Sequence, residues 1–183
     1  MARIRLIETK DDLPADQHDE LDAIVEVLHR VSGPFAVLLR SPGLAEKVLR
    51  AGAQVRLGST LTKAERELTI LSVAREKDGP YEWAAHVGLA REAGVSEAAI
   101  AAVRDRADTV GLVEDERRIV DFVRELLRTN RVGDDRYAAL VAARDERWLV
   151  ELTATVGQYQ YIAAVNGVFE IAPPEGAEIL PVR

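Results

Sequence analysis

Residues 61–100 read LTKAERELTI LSVAREKDGP YEWAAHVGLA REAGVSEAAI. Thr62 followed three positions later by Glu65 is a capping box: the hydroxyl and the carboxylate each satisfy an amide that an opening helix leaves free. The helix so started runs through Leu68, Ile70, Leu71 and Val73 to about Glu76. Lys77-Asp78-Gly79 is a turn, and Pro80 follows where a first helical residue has no amide to satisfy. A second helix reaches Ala93 and closes at Gly94, a residue suited to the left-handed position after a helix. Ser96 caps a third, through about Arg106. Three helices therefore follow one another with no alternating, strand-like run between them.

The flanks read the same way. Asp12-Leu13-Pro14 opens a helix towards Arg30 whose Leu21, Ile24, Val25 and Leu28 form one apolar stripe. Ser32-Gly33-Pro34 breaks it, and a short apolar piece, Phe35 to Leu39, leads to a helix over Leu44 to about Val55 that ends at Gly58-Ser59. Downstream, helices are predicted from Glu114 to Arg128, from near Asp134, and from about Glu146 to Phe169 with a bend at Gly157. The tail from Ala172 to Gly176, with Pro173 and Pro174, is expected on the surface without helix. No repeat or low-complexity tract interrupts the pattern. The reading is all-α: seven or eight helices in one domain over residues 1–183, a length near the roughly 150 residues usual per domain.

Charge and composition remove several classes of function. Lys and Arg number 24 against 31 Asp and Glu, a net charge of −7, so the basic face that a nucleic-acid backbone needs is not expected. There is no cysteine, so no disulfide, thiolate metal site or thiol redox step can arise within these residues. The start of the chain lacks the apolar run of a signal peptide. The most apolar late stretch, 149–172, is interrupted by Glu151, Gln158, Gln160, Asn166 and Glu170, which a bilayer-spanning helix does not tolerate. No membrane partner and a cytoplasmic location are the resulting expectations.

Three histidines are candidates for chemistry. His18, among Asp16, Asp19 and Glu20, reads as a solvated helix residue, and His29 as a cation near a helix C-terminus. His86 lies in mid-helix, four residues after Glu82, so both side chains leave one face one turn apart. A carboxylate beside an imidazole can hold one ring nitrogen and leave the other for a substrate; the same spacing also makes an ordinary ion pair. Two ligands without a third do not make a metal site, and no metal or cofactor is expected. Arg40, Arg56 and Arg75 are candidates to meet an anionic substrate. Tyr81, Trp83, Tyr159 and Tyr161 fit either a pocket wall or a core, and Asn166 needs a partner if buried.

Leu61-Thr62-x-x-Glu65-Arg66-Glu67-Leu68-x-Ile70-Leu71, then Tyr81-Glu82-Trp83-Ala84-Ala85-His86, then Ala90-x-x-Ala93-Gly94-Val95-Ser96 resembles the carboxymuconolactone decarboxylase family, whose superfamily includes the alkylhydroperoxidase D-like proteins. The likeness is closest over residues 61–100, extends loosely to the last long helix, and leaves 1–40 as an N-terminal helical extension. It implies an alkylhydroperoxidase D-like helical fold that oligomerises through helix packing, as a trimer or hexamer. The peroxidase branch carries Cys-x-x-Cys-x-x-x-His on this helix and a Glu on the preceding one. Aligned on His86, the cysteine positions fall on Gly79 and Glu82, and the relay acid on Glu67. Both sulfurs are thus absent, and with them the nucleophile for a peroxide.

The decarboxylase branch shares Glu-x-x-x-His without the cysteines. The resemblance then implies that Glu67, Glu82 and His86 converge on one pocket, with Glu67 reaching across from the neighbouring antiparallel helix. It also implies acid/base chemistry, without cofactor, on a small carboxylated lactone or enol-type substrate, with Tyr81, Trp83, Arg56, Tyr159 and Asn166 as secondary binding candidates. Lactone opening, isomerisation or dehydration in the same pocket, a helical binding or scaffold protein, and a protein borrowing a partner's thiol are the alternatives.

Overall fold

The computed structural model describes residues 2–181, and among them there are nine α-helices, two short 3-10 turns and no strand. The centre is α4 (Lys63–Glu76). Its capping box forms as the sequence predicts: the Glu65 N–H donates to the Thr62 hydroxyl at 3.2 Å, and the Thr62 N–H donates to the Glu65 carboxylate at 2.8 Å. Every residue from Glu67 to Arg75 is buried, which marks a helix enclosed on all sides rather than one lying on a surface. Thr69 and Ser72 sit inside that shell because their hydroxyls donate to the carbonyls of Glu65 and Leu68, each at 2.7 Å.

Around this axis pack α5 (Pro80–Glu92), α6 (Glu97–Arg104), α7 (Glu114–Thr129) and α9 (Glu146–Phe169). Asp145 caps α9 by accepting the Trp148 N–H at 2.7 Å. Leu68, Ile70, Leu71, Trp83, Ile100, Val120 and Leu152 are among the side chains that fill the main core. A second, smaller core joins Ile7, α1 (His18–Leu28), α2 (Pro34–Leu38) and α3 (Pro42–Leu57) to Ile162 of α9. Between α7 and α9 lies α8 (Asp134–Ala143), which packs on α9. The last long helix therefore borders both cores.

Local differences from the sequence reading have local causes. The first helix starts at His18, not at Asp12, because Leu13 is extended and residues 10–12 and 15–17 form 3-10 turns; the Asp12 carboxylate accepts the Glu8 and Thr9 amides there. The apolar piece after Gly33 is itself a helix, α2, with Pro34 at its first position, which brings the count to nine. Arg106 takes a left-handed conformation, so α6 stops at Arg104. Through Gly157, α9 runs unbroken. Residues 172–176 are non-helical and mostly exposed, as expected, while on either side of them Ile171 and Leu180 are buried and Arg75 Nη1 donates to the Pro181 carbonyl at 2.7 Å.

Candidate active site

His86 is placed by α5 and Glu67 by α4, and the packing of those two helices brings the side chains together. The His86 Nδ1–H donates to Glu67 Oε2 at 2.7 Å. On the other oxygen, Arg66 Nε donates at 3.1 Å. Burial works to raise the Glu67 carboxyl, but the bonds and charges of His86 and Arg66 outweigh it and hold the group below the usual carboxylate range. An ionised carboxylate can only accept, so the shared hydrogen sits on Nδ1. His86 Nε2 makes no hydrogen bond among the described residues.

Glu82, the residue expected from its spacing to hold the imidazole, does something else. Its side chain turns to α9, where Asn166 Nδ2 donates to Glu82 Oε1 at 2.5 Å. Its Oε2 is buried without a partner and lies where a Cβ on Gly79 would come within 2.6 Å. Burial pushes the Glu82 carboxyl above its ordinary range, and neither Asn166 nor the charge of His86 offsets it. Two carboxyl groups thus adjoin one imidazole, one held ionised and the other driven towards its neutral acid. Environments that drive a pair of carboxyls in opposite directions separate the acid and base roles of a site.

His86 and Glu82 line a cavity of about 770 Å³, within the range that holds a drug-sized ligand. Tyr159 lies on the same wall, its ring edge-on to His86 with centroids 5.2 Å apart. Burial raises its phenol above the ordinary value, so the hydroxyl is a neutral donor. Tyr81 and Arg56 also line the cavity, whereas Glu67 stands behind His86, and Asn166 behind Glu82. Trp83 does not reach the cavity: it is fully buried in the main core, on the opposite side of α5 from that wall. Tyr161 points outward, Arg40 donates to the Arg5 carbonyl, and Arg75 is buried against Asp78 and the tail. Among the described residues no three His, Asp or Glu side chains cluster as metal ligands.

A sequence model of the carboxymuconolactone decarboxylase family matches residues 42–125. The match spans a little under half of the chain, so it stands as a similarity of that segment to the family. That segment carries Arg56, Glu67, Tyr81, Glu82 and His86, while Tyr159 and Asn166 come from α9 beyond it. No curated protein matches the chain significantly. Among solved structures, the fold resembles an alkylhydroperoxidase AhpD core, a peroxidase-related protein from Ralstonia eutropha JMP134, at 16% identity, with 95% of this chain and 93% of that one covered and a TM-score of 0.77. A peroxidase-related protein from Silicibacter sp. TM1040 is similar at 17% identity, 89% and 87% coverage and a TM-score of 0.73. The debrominase Bmp8, in complex with 2,3,4-tribromopyrrole, is similar at 9% identity, 96% and 95% coverage and a TM-score of 0.69. At these identities the shared property is the helical fold.

Sequence reasoning missed the cavity's other side. His29, Arg30 and Phe35 line it from the N-terminal segment, and Gln158 and Ile162 from α9. No motif marks them, because their role comes from α1 and α2 packing near α9. Arg66 was missed too, although its position next to Glu67 is the signal that could have found it.

Proposed function

We propose that this protein is an acid/base enzyme of the carboxymuconolactone decarboxylase family that works without an organic cofactor. Its reaction is the decarboxylation of a small carboxylated lactone or enol-type acid, with His86 moving the proton. The observation that carries this reading is the pairing of buried Glu67 with half-buried His86, 2.7 Å apart, with Nε2 unbonded beside a cavity. A substrate with a conjugated carbonyl supplies its own electron sink. The bond to the departing carboxyl carbon breaks, its electron pair moves into that carbonyl, and CO₂ leaves. Protonated His86 then returns a proton to carbon, and Glu67 balances the imidazolium charge while the proton resides there. Glu82, as a neutral acid, stabilises the developing dienolate, and the Tyr159 hydroxyl donates to the substrate's carbonyl oxygen. Trp83 has no role in this reading.

Two proton-carrying groups beside one cavity also suit an isomerisation or lactone opening, the second reading. The lined cavity favours an enzyme over a scaffold, in which His86 would be packed and satisfied. Self-association belongs to the same proposal. Val150, Ala154, Gly157, Tyr161, Ala164 and Val168 are all exposed at alternating spacings of four and three along α9, the pattern of a helix seam that meets another helix.

The test is CO₂ release from a panel of small carboxylated lactones and enol acids, with wild type and His86→Gln on the same preparations. His86→Gln, whose amide can still donate to Glu67, is expected to remain folded at the assay temperature and lose about 10²–10⁴ in kcat. Turnover of His86→Gln at the wild-type rate overturns the mechanism. Proton exchange from solvent into an unchanged carbon skeleton, without CO₂, would select the second reading.

A further inference from the structure

The cavity is larger than a small lactone needs, and its charge runs against that of the molecule. The chain carries a net charge of −7, yet the cavity lining holds Arg30, Arg56, His29 and His86 against one carboxyl, Glu82, which burial drives towards neutrality. Most arginines of the fold are engaged by carboxylates. Arg30 and Arg56 make no ion pair and donate no side-chain hydrogen bond among the described residues. Both are exposed, as is His29, so they mark the mouth of the cavity; Glu82 and Tyr159 are buried and mark its floor. Leu28, Phe35, Leu49, Leu89 and Ile162 supply apolar wall. A ligand that satisfies this lining has a reacting group at the floor, an apolar body, and an anion at the mouth.

We propose that the natural substrate is an amphiphilic organic acid whose anionic group, remote from the reacting atoms, is bound at the cavity mouth by Arg30 and Arg56. This rests on the reading of the cavity as the active site. The guanidinium of Arg56 presents donors in a fork that matches a carboxylate, sulfonate or phosphate. Leaving two such groups without a carboxylate partner, in a protein with an excess of acids, makes the mouth selective for anions. Arg30 lies outside the segment that matches the family and Arg56 within it, so the mouth combines a residue of the matched segment with one of the N-terminal segment.

The probes are 8-anilinonaphthalene-1-sulfonate and its uncharged parent, N-phenyl-1-naphthylamine, titrated by fluorescence into the full chain. Both are expected to saturate at one site per chain, and Ala53→Trp, which fills the cavity from α3, is expected to weaken both. The double variant Arg30→Gln/Arg56→Gln should weaken the sulfonate by about tenfold or more, the size of a lost charge-assisted hydrogen bond. It should leave the neutral probe within about twofold. Equal loss of both probes, no loss of either, or binding that does not saturate overturns the proposal. A melting curve confirms that the exposed substitutions leave the fold intact. His86→Gln, read in the CO₂-release assay beside this titration, separates the two claims. If it abolishes turnover while the arginine variants fail to discriminate the probes, the acid/base reading stands and the substrate class falls. If the arginines discriminate and His86→Gln turns over normally, the anion site stands and the mechanism falls.

Discussion

Glu67 and Glu82 are both buried carboxyls near one imidazole, and their surroundings push them in opposite directions. The pH dependence of stability should show it. Glu82 keeps its proton in the folded state above the pH at which the unfolded chain loses it, so the folded state binds more protons in that window and stability falls as pH rises through it. Glu82→Gln still accepts from Asn166 but no longer titrates. Urea denaturation between roughly pH 4.5 and 7.5 should therefore show a flatter profile in that variant, with no loss of stability at neutral pH. For Glu67 the sign reverses. Its stabilisation is present above the unfolded carboxyl's pKa and is lost as pH falls through its lowered folded value, so Glu67→Gln should cost about 1.5–3 kcal/mol at neutral pH. That difference should close below about pH 4. Gly79 tests the placement of Glu82 independently. A Cβ there meets Glu82 Oε2 at 2.6 Å while φ is an ordinary −91°, so Gly79→Ala should displace the carboxyl and lower kcat with little change in melting temperature.

At the scale of elements, α4 is the most enclosed helix and holds Glu67 against His86 of α5, and its capping residues fix where it begins. Glu65 closes the capping box and also accepts from Arg144 Nη2 at 2.8 Å, tying the helix start to the segment before α9. Thr62→Ala should cost about 1 kcal/mol, measured by denaturant melts, and the same preparations should keep the His86–Glu67 geometry. Gly33 has the stricter requirement. Its φ of +58° is left-handed, and a Cβ would fall on the Tyr81 hydroxyl. Gly33→Ala should therefore destabilise by more than the roughly 1 kcal/mol that strain alone costs, since Tyr81 must also leave its place on the cavity wall. The short helix α2 escaped the sequence reading because five residues are too few for a periodic signal. Its Ala36, Val37 and Leu38 are buried, so tertiary packing rather than intrinsic propensity holds it.

For the whole molecule, the apolar stripe along α9 predicts association with further copies of the chain, because exposed apolar seams of this length rarely stay bare. Light scattering should report a mass well above 20.1 kDa, and Ala154→Glu, at the middle of the stripe, should lower it. A stable monomer at micromolar concentration would count against the seam. Although two structural neighbours carry peroxidase-related names, this chain has no thiol to form or recycle a disulfide. An assay with cumene hydroperoxide and an external dithiol should show no saturable turnover. No helix among the described residues is long and apolar enough to cross a membrane.

What the sequence by itself determined is what local chemistry can decide: the helical class, the capping box at Thr62, the Pro80 start of α5, and the segment that carries the family's motif. Each depends on residues within one or two turns of each other, where caps, prolines and apolar spacing act directly on the backbone. What only the tertiary structure decided is which groups meet. Spacing along α5 pointed to Glu82 as the partner of His86 and the family resemblance to Glu67 reaching across; the approach of α4 puts Glu67 on the imidazole, and the approach of α9 draws Glu82 to Asn166. Trp83, one residue from Glu82, turns to the core because adjacent helical residues leave the axis about 100° apart. Arg30 and Arg56 acquire a shared setting only when the N-terminal helices fold towards α9 and enclose the cavity. A hydrogen bond or a pocket between distant segments depends on packing to within a fraction of an ångström, and no pattern along the chain encodes that distance.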